Sequence, residues 1–409
     1  MVLAVYTNWY RLGLVEKNRK SLGTKMKRYC KNIDITSREL ISEATWSCIS
    51  NKITRSDTIH MFMEYTGLPY QFLMDIAQES RYMLDSIVET VIDGIRQEIL
   101  EQKYIVKKIR YRIKKDSCTG KLRNIGIQDI KQQIYDYITV YGLKELFEKK
   151  LGFYQCGAVK RKGNEFGAGA IKKWLADKNI RWAWQADVRH YYENINKNVL
   201  KKMLKRDVKN DRLIHLVFFL IDTFEYGLSI GSYLSQFLAN YYLSKAYIYA
   251  SQQFKIRKRK DGTVKKVRLA SHVLFQMDDI IFFGHSKKDM KMLVKRFNEY
   301  IDKELGLELK ETAHFIDLQT EYVDILGRKI SRKNLTIRSS TFLKARRTYK
   351  KAYSYVCHEK EIPLKLARSC VARYGAIKHT DSKRFQRRYH IETINKEAKK
   401  VIGRAAKGE

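Results

Sequence analysis

Leu40, Ile41, Ala44 and Trp46, and later Ile76, Met83, Ile87, Val91 and Ile95, recur at three- and four-residue spacing, which predicts helix from about residue 34 to 101. Gly67, Leu68 and Pro69 break that region in two. At Tyr104 the period changes. Ile109, Tyr111 and Ile113 alternate with Lys108, Arg110, Arg112 and Lys114, the run DSCTG supplies a turn, and KLRNIGI restarts an extended segment, so a hairpin with one strongly basic face is expected. Residues 127–148 return to helical spacing, and a glycine-bearing loop is predicted over 152–169. Trp182 to Asp187 reads as a short apolar strand ending in an acid, and 197–224 as helix. GLSIGSYLSQFLANYYLSKAYIYA opens as a glycine turn and continues as an apolar helix. Asp261-Gly262 marks a hairpin between two basic arms, KIRKRK and VKKVRL. HVLFQMDDIIFF reads as two short apolar strands with adjacent acids at the joint. A helix, a strand around 322–330 and a helical tail complete the pattern.

Charge changes the picture most. The chain has 409 residues, with 81 Lys and Arg against 44 Asp and Glu, a formal net charge of +37, so its natural partner is a polyanion. A 44% hydrophobic fraction with only two prolines excludes a disordered basic tail. From Arg328 to Glu409 there are 24 basic and 6 acidic residues. The six cysteines, Cys118 among them, form no CxxC pair and no histidines cluster beside them, which argues against a disulfide scaffold or a zinc module. The apolar stretches 213–221 and 228–250 are too short or too interrupted to span a bilayer, and no secretion signal is read at the start, so a cytoplasmic protein without membrane contact is expected. Met26 could itself open a chain, making residues 1–25 an extension.

The candidate chemistry lies in three acids at strand ends: Asp187, and the pair Asp278 and Asp279. A carboxylate among apolar strand residues is costly unless something cationic compensates it. A single such acid is more often a cap or a turn residue. Adjacent acids, a second strand-end acid and the basic charge together favour a pair of hard divalent cations acting on phosphoryl oxygens.

In order along the chain, DVRHYYENI, GLSIGSYLSQFLANYYL, QMDD, LGLELK and VDILGRKI resemble the palm of a reverse transcriptase, and KLRNIGIQDIKQQIYDYI and YQCGAVKRKG resemble the fingers segment of the prokaryotic enzymes. Ile230, Gly231, Ser235 and Gln236 fit the [ILV]GxxxSQ pattern of diversity-generating-retroelement enzymes, at a place where the related phage-defence groups also vary, and ARYGAIKHTDSKRF resembles the short thumb of the same assemblage. The resemblance implies an α+β right-hand polymerase: an extension at 1–25, a helical region at 26–103, fingers at 104–186, a palm at 187–330 with a basic hairpin at 255–268, and a basic helical thumb at 331–409.

It also implies roles. Asp187 and Asp278 would be the principal ligands of two Mg²⁺ ions, with Mn²⁺ as a substitute, helped by Asp279 and the Val188 carbonyl. Tyr192 would be the aromatic gate against a ribose 2′-OH, with an ordinary core aromatic as the plain alternative. Arg123 would grip the incoming triphosphate, assisted by Arg110, Arg112 or Lys121, each of which is also readable as a solvated charge. Gly231 would let the backbone approach the nucleotide. Gln236 and Asn240, one helical turn apart, would face the template, unless capping or internal hydrogen bonds account for them. Lys310 would protonate the leaving pyrophosphate. Gln276 stands where relatives carry Tyr, at the primer terminus. Arg346, Arg347, Lys350, Arg384, Arg387 and Arg388 would contact duplex phosphates. No RNase H or integrase-like acid constellation is read outside the palm.

The expected activity is cDNA synthesis from a dedicated noncoding RNA with dNTPs and a DNA primer, in a diversity-generating retroelement, where a small accessory protein is implied, or in antiphage defence. Template-independent or protein-primed nucleotide addition, and a catalytically silent RNA-binding scaffold, are the competing readings.

Overall fold

The structure, a computed structural model, describes residues 27–115, 120–159 and 161–407. The expected extension at 1–25, the Met26 start, Cys118, Lys160 and most of the DSCTG turn lie outside the described residues.

Four helices come first: α1 (Arg38–Ile49), α2 (Ser56–Thr66), α3 (Tyr70–Glu79) and α4 (Arg81–Glu101). Gly67 ends α2 in the left-handed conformation at φ +69°, and Pro69 caps α3, so the predicted break falls where the backbone chemistry requires it. β1 (Arg110–Lys115) and β2 (Leu122–Ile127) form the expected hairpin. Arg112 pairs with Ile125 and Lys114 with Arg123, which puts Arg110, Arg112, Lys114 and Arg123 on one face. The predicted helix over 127–148 is two, α5 (Ile130–Gly142) and α6 (Lys144–Lys150).

The loop expected over 152–169 is instead β3 (Gln155–Cys156) followed by α7 (Asn164–Leu175). Gly167 lies inside α7 because a Cβ there would meet Leu326 Cδ1 at 2.7 Å; the glycine serves close packing rather than a turn. β4 (Trp182–Asp187) and the short α8 (Tyr191–Asn194) follow, and the helix predicted over 197–224 divides into α9 (Lys197–Asp207) and α10 (Asp211–Asp222). Asn210 caps α10 by accepting from Leu213 N. α11 (Tyr233–Tyr242) and α12 (Ser244–Ser251) carry the apolar helix, β5 (Phe254–Lys258) and β6 (Val264–Arg268) the basic hairpin, and β7 (His272–Gln276) and β8 (Asp279–Gly284) the paired apolar strands. Then come α13 (Lys287–Leu305), β9 (His314–Asp317), β10 (Val323–Ile325), β11 (Arg328–Ile330), β12 (Leu335–Ile337), α14 (Ser339–Cys357), α15 (Leu364–Lys378), α16 (Lys383–Arg388) and α17 (Ile391–Lys407).

About 55% of the chain is helix and, among the described residues, the strands fall into four small sheets, which makes the fold α+β. The largest sheet has the order β3-β7-β8-β4-β9. Trp184, Ala186, Phe275, Ile280 and Phe282 bury one of its faces in the main core with the N-terminal helices and α13, while Ala183, Leu274, Ile281 and Phe283 bury the other with α7 and β10–β12. Covering on both faces explains why these strands read as unbroken apolar runs. Since β3 and β4 belong to this sheet, the boundary expected at residue 187 cuts through a strand, and residues from about 155 onward belong with the sheet. The basic tail is a helical unit with its own core, around Ala345, Tyr349, Ala367, Cys370, Ile377 and Ile394.

Candidate active site

β4 and β8 run antiparallel in a register that sets Asp187 opposite Asp279, and β7 pairs with β8 so that Gln276 also faces Asp279. Met277 and Asp278 are left as the two-residue turn, which Met277 makes in the left-handed conformation at φ +55°. Directly opposed residues project from the same face with Cβ atoms about 5 Å apart. Asp187 and Asp279 therefore stand side by side at one end of the sheet, with Asp278 at the turn next to them.

The three acids repel one another in a partly buried place. Burial raises the Asp278 carboxyl above its ordinary value and the Asp187 charge raises it further, against Lys310 and Arg123. Asp279 is pushed up to about 7, by burial first and then by Asp278 and Asp187, with Arg338 and Lys310 opposing. A carboxyl raised in this way contributes stability that is complete below its unfolded value and lost as pH rises through about 7.

Two cations meet this cluster from the sequence-expected set. Lys310 Nζ lies 2.5 Å from Asp187 Oδ1, and its backbone N donates to Asp187 O at 2.8 Å. With Arg189 N donating to Glu308 O, that bond forms the bridge between Val188 and Leu309 and leaves the Val188 carbonyl outside the pair. Val188 N donates to Asp278 O at 3.2 Å, tying β4 to the acid turn. Arg123 acts electrostatically on both Asp278 and Tyr192, so β2 brings its guanidinium to the acids. Tyr192 is half-buried; burial raises its hydroxyl, Asp278 adds to the rise, and Arg123 counters it. Arg110, Arg112 and Lys121 are exposed.

Other expected positions fall differently. Gly231 has φ +114°, and a Cβ there would meet Gly126 O at 2.7 Å; the close approach it permits is to the backbone of β2, where Gly126 N donates to Ile230 O at 2.9 Å. Gln236 is exposed, but Asn240 is buried at 1% exposure, donates to Gly157 O and accepts from Gln155 Nε2. Asn240 thus anchors the chain beside β3 and offers no amide to a strand of nucleic acid, because helix α11 turns that side inward. Gln276 is half-buried, with Nε2 3.4 Å from Asn164 Oδ1 and Oε1 buried without a partner. Arg346, Arg347 and Lys350 on α14, and Arg384, Arg387 and Arg388 on α16, are all exposed.

Two residues were missed by the sequence reading. Arg338, at the start of α14, bonds Asp324 Oδ1 at 2.7 Å and acts on Asp279, so it links the helical tail to the acids. Its signal was masked by the many other bases of the tail. Asp136, an acid within the apolar helix α5, is fully buried; it accepts from Ser232 Oγ at 2.7 Å and from Leu234 N at 3.3 Å, placing a carboxylate at the N-terminus of α11. Burial pushes its carboxyl up to about 6, against the hydrogen bonds from Ser232 and Leu234. Asp136→Asn removes a contribution lost as pH climbs from about 4 to about 6. Urea denaturation at either end of that window is expected to show the wild type losing on the order of 2–3 kcal/mol more than the variant.

Among the described residues no three carboxylate, His or Cys side chains converge as a ready-made metal cage. The donor chemistry nonetheless suits Mg²⁺, which binds through one or two carboxylates and completes its shell with water and phosphate oxygens. Asp278 and Asp279, both raised by burial first and then by neighbouring carboxylates, are the groups a divalent cation would relieve. Among the described residues no helix is long and apolar enough to cross a membrane. Comparison with protein-family models and with curated proteins gives no match.

Proposed function

We propose that this chain is an RNA-directed DNA polymerase of the reverse transcriptase type, with the β1–β2 hairpin and α5 as fingers, the five-stranded sheet as palm and α14–α17 as thumb. The observation that carries the reading is the register of β4 on β8, which gathers Asp187, Asp279 and the turn residue Asp278 at one sheet end beside Lys310, Arg123 and Tyr192. Asp187 and Asp278, with help from Asp279 and the Val188 carbonyl, would hold two Mg²⁺ ions, which supply charge stabilisation for phosphoryl transfer. Arg123 would fork onto the triphosphate. Lys310, which is hydrogen-bonded to Asp187, would hand a proton to a departing phosphate oxygen. The exposed bases of α14 and α16 fit the phosphates of a template–primer duplex. A noncoding RNA as template, in a retroelement with a small accessory protein or in antiphage defence, is the corresponding setting.

Primer extension tests the reading: a DNA primer annealed to defined RNA templates, Mg²⁺, and one dNTP at a time. Incorporation that follows the template base is the expected result. Incorporation indifferent to the template, or DNA that stays attached to the protein through denaturation, would move the function to untemplated or protein-primed addition. No incorporation on any template would leave an RNA-binding scaffold.

The Tyr192 ring gives a sharper expectation within the same assay. Tyr192→Val is expected to lower the preference for dNTP over rNTP, measured as the ratio of kcat/KM values, by about 100-fold, while kcat for dNTP changes far less. An unchanged ratio would return Tyr192 to the role of a packing aromatic.

A further inference from the structure

Among the described residues β5 and β6 pair with each other and with no other strand. Between Phe254 and Arg268 eight residues are basic and one, Asp261, is acidic. That acid is engaged by its own turn, accepting from Thr263 N at 2.9 Å and Thr263 Oγ1 at 2.6 Å. Lys255 is tied to Asp289 of α13 at 2.6 Å and fixes the root of the ribbon. Among the described residues Arg257, Lys258, Arg259, Lys260, Lys265 and Arg268 make no ion pair. Such a density of uncompensated charge on a two-stranded arm costs self-repulsion that a polyanion relieves.

The ribbon stands at the far end of the sheet from the acids. Leu269 N donates to Gln253 O at 3.0 Å and Ser271 N to Phe283 O at 2.7 Å, so the root lies beside Phe283, four strand residues from Asp279. At strand rise that is about 13 Å. A polyanion on the ribbon is therefore a segment away from the reacting terminus.

The surface also tells duplex from single strand. Binding of unpaired bases needs aromatic platforms. The ribbon has one ring, Phe254, exposed with Lys266 Nζ 4.7 Å from its centroid, so it offers no row of rings on which successive bases could stack, and its other exposed apolar side chains, Ile256 and Val264, are aliphatic. The register sets Ile256 opposite Lys266 and Val264 opposite Lys258, so one face alternates aliphatic and basic groups. That face matches the shallow minor groove of an A-form helix, where sugar edges lie between rows of phosphates.

We infer that the β5–β6 ribbon docks double-helical RNA, holding a base-paired segment of the RNA partner outside the copying site. The choice of RNA over DNA rests on the proposed function. The test is the quadruple variant Lys258→Gln, Arg259→Gln, Lys260→Gln and Lys266→Gln, all at exposed positions, with Lys258 and Lys266 on that alternating face. The probe is a blunt RNA duplex of two helical turns with blocked 3′ ends, beside the matched DNA duplex and one of its RNA strands alone, across a salt series. The variant is expected to bind the RNA duplex at least about 10-fold more weakly, with a log–log salt slope shallower by roughly 3–4. Extension of a short primer–template pair should stay within twofold of wild type. RNA-duplex affinity unchanged within twofold would overturn the inference, as would an equal loss on the DNA duplex or the single strand. Loss of extension in parallel with binding would overturn the placement outside the copying site. A wild type that fails to extend any primer, yet binds the RNA duplex through these four residues, would sink the polymerase reading and support the ribbon.

Discussion

Asp278→Asn is expected to lower Mg²⁺-dependent dNTP incorporation by about 10³-fold or more and, in the same preparation, to raise the thermal stability of the metal-free protein. Both effects have one cause. Asp278 sits at the turn beside Asp187 and Asp279, where burial and like charge hold its carboxyl in the protonated direction. A neutral amide of the same shape removes that repulsion and also lets Asp279, otherwise pushed up to about 7, ionise at lower pH. The loss of rate corresponds to several kcal/mol of charge stabilisation that metal ligation would supply in the proposed function. The pH dependence follows from the sign of the shifts. Wild type without metal should lose stability between about pH 4 and pH 7, and the variant should lose less; Mg²⁺ should restore the wild type at neutral pH and leave the variant unmoved. Thermal melts with and without Mg²⁺ at acid and neutral pH, set beside incorporation rates, check the whole pattern. Loss of activity with lower stability would show that Asp278 supports the fold rather than a metal.

The second large effect is structural. Gly231→Ala is expected to cost about 2–4 kcal/mol in urea denaturation, because a Cβ at φ +114° would stand 2.7 Å from Gly126 O, a backbone atom that cannot step aside. The same substitution at Gly262, φ +77° but with open space around it, should cost only about 1 kcal/mol. The clash also carries a functional signature. Gly126 and Arg123 share β2, so pushing that strand from the Ile230–Gly231 turn shifts the guanidinium relative to Asp278 and Tyr192. In an enzyme that retains its fold, KM for dNTP should rise about 10-fold while kcat falls much less. Equal losses at Gly231 and Gly262 would mean that left-handed backbone alone, and not the contact between the two elements, accounts for the glycine.

Much of this was legible in the residues. The strand 182–187 and the pair flanking Met277-Asp278 were readable because a sheet covered on both faces leaves continuous apolar runs, and acids at the ends of such runs stand out. The first basic hairpin was readable from period-two alternation and the second from the Asp261-Gly262 turn between its basic arms. What escaped were features decided by distant partners. The glycines of α7 look like loop residues in sequence, and only Leu326, far along the chain, explains Gly167 in a helix. Asn240 has the spacing of a surface partner to Gln236, yet Gln155 of β3 donates to its amide oxygen and Gly157 O accepts from its amide nitrogen. β9 and β12 are four and three residues long, too short for any period to register. Arg338 owes its place to the turn from β12 into α14, which no local signal marks.

The central claim is that the acids at the end of β4 and β8 join nucleotides under the direction of an RNA. The most direct measurement is to purify the protein from cells carrying its native locus, sequence the RNA and DNA that come with it, and repeat with Asp278→Ala. The account predicts DNA complementary to one co-purifying RNA in the wild type and none in the variant. DNA that matches no bound RNA, or that is equally abundant in the variant, would contradict it.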